Sequence, residues 1–297
     1  MKAGNGVFLP KSHSMLTRIR IVNANTSSAN NFATGAMSDS VLVSQPLPNS
    51  SDNSANSTEF VSTEMCEAKK EFDAYASQYE TALNEGLSVS GEAPEYFASK
   101  RVQWTAQVLA NSGTINSVLD FGCGVGIATP LIQTAFEPES ICGFDPSTEA
   151  IKRAHVEFGN EGVNFTATTQ AIADNEFDLA YCNGVFHHIL PVDRPAAFAT
   201  VFRALKPGGW FAFWENNPWN PGTRYVMSKI PFDRDAIVIS PIQARSLVIT
   251  AGFEVARTDA WFLFPRSLGW LRPLEKLVHR LPLGAQYLVL AQKPMKS

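Results

Sequence analysis

Apolar positions along the chain change rhythm near residue 115. Before it the spacing is helical. Phe72, Tyr75, Ala76 and Tyr79 fall three and four residues apart, which predicts one face of a helix. A Gly/Ser/Pro stretch over 86–94 interrupts the pattern, and Tyr96, Phe97, Val102, Trp104, Val108 and Leu109 predict a second helix over 94–110. Beyond that point short apolar runs alternate with helical stretches. SVLDFG, SICGFD, VNFTATT, FDLAYCNG and WFAFWE read as strands. Segments 128–136, 147–158 and 196–205 read as helices, the second capped by Ser147 and the third stopped by Lys206-Pro207-Gly208-Gly209. A helix over 241–251 closes at Gly252, and FEVARTDAWFLF and AQYLVLAQKP supply the last strands. Strict alternation over about 180 residues predicts an α/β fold: a doubly wound, mostly parallel seven-stranded sheet with helices on both faces and an antiparallel last strand.

Residues 1–64 follow neither rhythm. NANTSSANNFATGAMSDS and LPNSSDNSANSTE are rich in Asn, Ser, Ala and Thr, a composition that buries too little apolar surface to offset the entropy of ordering. This extension is expected to be disordered. Its first 38 residues carry Lys2, Lys11, Arg18 and Arg20 and no acid, a faint likeness to a transit peptide; the alternative is an over-long start, with Met37 or Met65 first. The folded domain is expected over 65–297. Residues 65–112 form its helical cap, and insertions at 216–240 and 265–284 shape a binding site.

Composition narrows the function classes. Net charge is −4, which argues against nucleic acid as a main partner. Charge is uneven, however: residues 257–297 hold seven Lys/Arg and two Asp/Glu, or +5, leaving −9 elsewhere. The four cysteines (Cys66, Cys123, Cys142 and Cys182) form no CxxC pair and no zinc spacing, so free thiols in a reducing, cytoplasmic setting are expected. No apolar run approaches the roughly 18–20 residues of a membrane span.

Candidate chemistry begins at LDFGCGVG. Gly122, Gly124 and Gly126 follow a carboxylate, Asp120, at a strand's carboxyl end, where open α/β sheets bind ligands. Glycines there permit tight turns and close approach of a ligand to the main chain. A dinucleotide site wants GxGxxG, but the sixth position counted from Gly122 is Ile127 and from Gly124 is Thr129. Asp120 would repel a pyrophosphate and suits an amino group. Both features favour S-adenosylmethionine over NAD. Asp145 ends the second strand 19 residues after Gly126, where a carboxylate can accept from both ribose hydroxyls. Asn183-Gly184 ends the fourth strand at the same edge.

With these four segments in order, the sequence resembles the class I S-adenosylmethionine-dependent methyltransferases, whose fold is Rossmann-like. VLDFGCGVG is similar to their first motif, GFDPS to the second, FDLAYCNGVFHHI to that of strand four and LKPGGWFAF to that of strand five. The likeness spans roughly residues 70–295. It implies that Asp120, Gly122, Gly124 and Gly126 line the methionine and adenosine region. It also implies that Asp145, with Pro146 beside it, binds ribose and that Asn183 lies near the methionine. Family members often place an acid near adenine after strand three; here the segment reads TTQAIADNEFD, leaving Gln170 or Ala171. The last hairpin is longer than usual. In related enzymes a helix like FDAYASQYE crosses the cofactor, which would bring Tyr79, and Tyr75 four residues before it, to the sulfonium; ordinary core aromatics are the alternative.

Methyl transfer is an in-line displacement that needs alignment first and a base only for a poorly acidic acceptor. His187 and Glu215, at the ends of strands four and five, are the candidate catalytic residues, with His188 beside the first; Asp233 and Asp235, in PFDRDA, belong to an insertion that could form the acceptor wall. The two aspartates could instead pair with Arg224 or Arg234. No metal constellation is evident in the spacing. The expected activity is methylation of a small-molecule acceptor, apolar or lipid-linked, at oxygen, nitrogen or carbon. The alternatives are an NAD-dependent oxidoreductase and an inactive regulatory protein that only binds the cofactor. In PRSLGWLRPLEKLVHRLPLG, Leu271, Leu274, Leu277, Val278 and Leu281 share a helical face, opposite Arg272, Lys276 and Arg280. A basic amphipathic helix over 270–281 fits an anionic membrane surface, or a lid; packing of its apolar face on the domain is the default.

Overall fold

The computed structural model describes residues 86–234 and 236–295. The extension over 1–64 and the aromatics Tyr75 and Tyr79 lie outside the described residues, as does Asp235. Strands β1 (Ser117–Phe121), β2 (Ser140–Phe144), β3 (Val163–Thr166), β4 (Phe177–Asn183), β5 (Leu205–Asn216), β6 (Glu254–Trp261) and β7 (Gln286–Gln292) form one sheet in the order β3-β2-β1-β4-β5-β7-β6. Every pairing from β3 to β5 is parallel, and β7 runs antiparallel between β5 and β6. The doubly wound seven-stranded sheet is the expected one.

Period-two alternation assigns the strand side chains to two cores. Leu119, Phe121, Ala180, Cys182, Phe211 and Phe213 face one side and pack with α4 (Arg194–Ala204) and α6 (Pro241–Thr250). Val118, Leu179, Tyr181, Ala212 and Trp214 face the other and pack with α1 (Pro94–Leu109) and α2 (Thr129–Phe136). Two further helices are α3 (Thr148–Phe158), capped by the Ser147 hydroxyl, and α5 (Pro221–Lys229), capped by the Asn220 side chain. Strand order reverses between β1 and β4, so the chain leaves these neighbours toward opposite faces and opens a crevice between them.

Three local expectations change. The Lys206–Gly209 stretch does not precede the fifth strand but lies within it: Leu205 pairs with Phe177 and Trp210 with Leu179, and the residues between form an irregularity at Gly208, whose φ is +81°. β3 stops at Thr166 and yields to a 3-10 turn, Thr169–Ala171. The basic amphipathic helix does not form as one piece. Residues Arg266–Leu274 make a 3-10 strap kinked at Leu268, followed by the single turn α7 (Glu275–Val278). Pro273 lacks the N–H that a continuous helix needs there. Glu275, buried, accepts the backbone N–H groups of Leu263 at 2.9 Å and Phe264 at 3.0 Å and ties the strap down.

Three side-chain hydrogen bonds tie helix α1 to the sheet, from Arg101 to Gln286, from Trp104 to Asp259 and, fully buried, from the Trp214 indole to Thr105 Oγ1 at 3.0 Å. Thr105→Val keeps the shape and strands the indole N–H. Stability should fall by about 1–3 kcal/mol. The check is the urea midpoint at unchanged slope, and an unmoved midpoint would deny this bond its part in holding α1.

Candidate active site

The loop after β1 carries three glycines in the left-handed region, each for its own reason. At Gly122 (φ +77°) a Cβ would stand 2.2 Å from Val185 of the loop after β4, so the residue lets two strand ends touch. At Gly124 (φ +53°) a Cβ would meet nothing within 4 Å, because this residue borders a cavity. A Cβ on Gly126 would press on Phe158 and Ala154 of α3, which is a packing role. Sequence reasoning assigned all three to a ligand, and the cavity wall includes Gly122 and Gly124 but not Gly126.

The cavity has a volume of about 510 Å³ and opens at the β1/β4 reversal. Asp120, Asp145, Pro146 and Asn183 all line it. Asp145 accepts the backbone N–H of Gly124 at 3.0 Å and of Ser147 at 2.9 Å, which locks the first loop to the second strand's end. Asn183 Oδ1 is buried with no hydrogen-bond partner. Gln170 and Ala171 are exposed and stand outside the wall. Burial raises the Asp120 pKa to about 7; a hydrogen bond from Thr129 offsets part of this and the charge of Asp145 adds to it.

Sequence reasoning missed Arg101. It projects from α1 into the cavity wall, donates to Gln286 Oε1 at 2.8 Å and leaves its buried Nε without a partner. The signal was available, since Arg101 falls on the buried stripe of Ala98, Val102, Thr105 and Leu109.

Beyond the glycine loop the wall becomes apolar, with Leu87, Phe97, Val226, Met227, Ile230 and Phe262. A polar cluster interrupts it. Glu215, at the end of β5, is buried and accepts from the backbone N–H of Phe186 at 2.9 Å and of His187 at 3.3 Å. Its second oxygen lies 2.6 Å from His187 Nδ1. The far nitrogen, His187 Nε2, stands 3.5 Å from Asp233 Oδ1, and His188 Nε2 stands 3.3 Å from the same oxygen. Asp233 reaches this place from the turn after α5, meeting the two histidines. Arg194 donates to the carbonyls of Phe186, Ile189 and Ile237, holding the histidine loop against the insertion.

These contacts set the charges. Burial opposes a proton on His187, but Glu215 and Asp233 outweigh it and raise its pKa to about 10. Burial and the neighbouring His187 lower that of His188, while hydrogen bonds from both histidines hold Asp233 well below the usual carboxylate range. His187 has a carboxylate beside each ring nitrogen and is 3% exposed; it lines the cavity together with His188. The sequence shows no metal spacing, yet His187, His188 and Asp233 bring three ligand-type atoms within 4.8 Å of one another. Cys123, Cys142 and Cys182 are free thiols, as expected, and no described helix is long and apolar enough to cross a membrane.

Residues 119–213 match a protein-family model described as a methyltransferase domain. A ubiquinone biosynthesis O-methyltransferase of Methylobacterium nodulans is 28% identical over 195 residues, 60% of this chain and 73% of its own length. Phosphoethanolamine N-methyltransferase 1 of Arabidopsis thaliana is 37% identical over 101 residues, 31% of this chain and 19% of its own length. A chain from the complex of the Haloferax volcanii Trm112 methyltransferase activator with a methyltransferase superposes with a TM-score of 0.54 at 18% identity, covering 75% of this chain and 98% of that one; this likeness concerns the fold. The oxidoreductase alternative finds no support in these matches. Strand order, the GxGxG loop and the match over 119–213 agree: the chain carries a class I methyltransferase domain whose cofactor is S-adenosylmethionine.

Proposed function

We propose that this domain methylates a small molecule with an oxygen-bearing head and an apolar body, taken up at an anionic membrane surface. The observation that carries the reading is the shape of the cavity: one space runs from the glycine loop past His188 and Asp233 to an apolar wall. The cofactor would lie along Asp120, Gly122, Gly124, Asp145 and Asn183, with its ribose on Asp145 and its amino group toward Asp120. The acceptor's head would lie by His188 and Asp233 and its body along Phe97, Met227 and Phe262. Glu215 and His187, candidate catalysts by sequence, become positioning residues, because both are enclosed and bonded to each other.

The strap supports uptake from a membrane. Its inner side contributes Phe264, Pro265 and Arg272 to the cavity wall. Its outer side leaves Trp270 76% and Leu277 78% exposed, with Leu274 and Leu281 exposed beside them. Of the five positions expected on one apolar face, Leu274, Leu277 and Leu281 are exposed and Leu271 and Val278 are half-buried. Arg266, Lys276 and Arg280 are exposed on the same segment and complement anionic headgroups. The relative named for ubiquinone biosynthesis agrees with an apolar acceptor.

Three measurements test this reading. Release of S-adenosylhomocysteine is followed with phenols that bear alkyl chains of increasing length. Each added buried methylene should improve kcat/KM by about 0.8 kcal/mol, roughly fourfold, until the wall is covered; equal rates for short and long chains would refute the apolar wall. The protein should co-sediment with phosphatidylglycerol vesicles and come off in ~0.5 M salt. Trp270→Glu with Leu277→Glu should abolish that binding at unchanged melting temperature, and sedimentation insensitive to the double change would clear the strap of the role.

The third measurement concerns Asp120. In the free protein its carboxyl is protonated below about pH 7, far above its usual 3.8. Its ionised form opposes folding, so this contribution to stability is lost as pH rises from about 4 to 7. A cationic amino group beside it favours the carboxylate. Affinity for S-adenosylhomocysteine should therefore rise about tenfold per pH unit below 7 and level off above it. Asp120→Asn should flatten the profile. A flat profile in the parent protein would remove Asp120 from the amino-group site.

A further inference from the structure

We propose that His187 Nε2, His188 Nε2 and Asp233 Oδ1 form a site for one divalent cation of the zinc class, facing the cavity and held from behind by Glu215. The first argument is spacing. Nε2 of His187 and of His188 lie 3.5 Å and 3.3 Å from Asp233 Oδ1. Charge-assisted hydrogen bonds of such groups close to about 2.7–2.9 Å. Ligands about 2.1 Å from a tetrahedral ion stand about 3.4 Å apart along the edges of the tetrahedron. The separations fit a shared ion better than direct contact, and all three atoms lie within 4.8 Å of one another.

The second argument is the tautomer. Glu215 Oε2 is an acceptor 2.6 Å from His187 Nδ1, so that nitrogen carries the hydrogen. An ion that takes the place of the Nε2 proton would then meet a lone pair aimed at Asp233. A carboxylate behind a ligating imidazole is the recurrent outer partner of a metal-bound histidine. Here that carboxylate is itself fixed by the N–H groups of Phe186 and Asn216.

The third argument is charge. Glu215 and Asp233 bring two buried carboxylates to one spot. A divalent ion balances them. The set is two imidazoles and one carboxylate, which suits zinc and its late first-row neighbours. Three protein ligands leave the fourth position open toward the cavity, the arrangement of an ion that binds a substrate.

The role of the ion rests on the reading of the acceptor end given above. The acceptor hydroxyl would take the open position and lose its proton to water at the cavity mouth. The oxygen lone pair would then form the bond to the methyl carbon as the carbon–sulfur bond breaks, its electrons passing to sulfur to give neutral S-adenosylhomocysteine. The binding of the ion stands apart from this role and is read without turnover.

Full-length protein stripped with chelator is titrated with Co2+, followed by its visible ligand-field bands. One equivalent should give the intense bands of four-coordinate cobalt. Asp233→Asn and His188→Ala should lose them at unchanged far-UV circular dichroism. Glu215→Gln, which keeps the shape of the outer partner and removes its charge, should weaken binding 10–100-fold. Absence of the bands at one equivalent in the parent protein would overturn the site, as would bands that survive both ligand changes; the parent titration decides even where a variant fails to fold. Should cobalt bind as described while the metal-free protein methylates the phenols at the full rate, the site stands and its place in the reaction falls.

Discussion

Glu215 is the constraint on which the catalytic half of the molecule depends. A carboxylate enclosed at the end of a central strand needs hydrogen bonds on every side, and this one finds all but one of them in the loop after β4. It takes the N–H groups of Phe186, His187 and Asn216 and the ring of His187. The loop after β4 can close over β5 in only one way that meets this demand. That closure sets the direction of both imidazoles and the place where Asp233 must arrive. The insertion that delivers Asp233 is in turn held by Arg194, whose guanidinium bridges the histidine loop and Ile237. Removing the carboxylate would therefore disturb a chain of contacts, at the larger cost of buried groups left unpaired.

The cofactor half rests on a different kind of constraint. There the main chain does the work, through glycines and backbone N–H groups, and few side chains are involved. Asp145 joins the first loop to the second strand by accepting from Gly124 and Ser147, so the two strand ends act as one piece. This half is local in sequence. Alternation marked its strands and the resemblance of four ordered motifs marked their ends, and Asp120, Asp145, Pro146 and Asn183 all line the cavity at the switch point. Gly126 is the exception. Its position belongs to the motif, but its reason is α3, which the spacing of glycines cannot express.

The acceptor half was hidden by distance along the chain. His187 and Asp233 are far apart in sequence and carry no mutual spacing, so no motif joins them until the insertion folds back. The same holds for Arg101, whose place on a buried helical stripe was visible but whose partner, Gln286, comes from the far end of the chain. The strap failed for a local reason. Its apolar positions have helical spacing, yet Pro273 and the demand of Glu275 for the N–H groups of Leu263 and Phe264 break the helix into a 3-10 turn and a single α-turn. Periodicity records which residues could share a face. It does not record whether the backbone can supply one.

That broken strap links the two sides of the acceptor site. A continuous amphipathic helix would bury its leucines on the domain, in the ordinary manner of surface helices. The kink at Leu268 instead turns Phe264, Pro265 and Arg272 inward, while Trp270 and Leu277 remain outside. Arg272 is held by Glu92 at 2.8 Å and stacks over Tyr96, so the inner face is anchored to the start of α1. On the outer face Arg266 reaches the Gly91 carbonyl and Arg280 the Asp259 carboxylate, while the apolar side chains beside them stay exposed. One short segment is thus a fixed wall within and an apolar, basic surface without. An apolar molecule leaving a membrane there would meet the cavity without first crossing water.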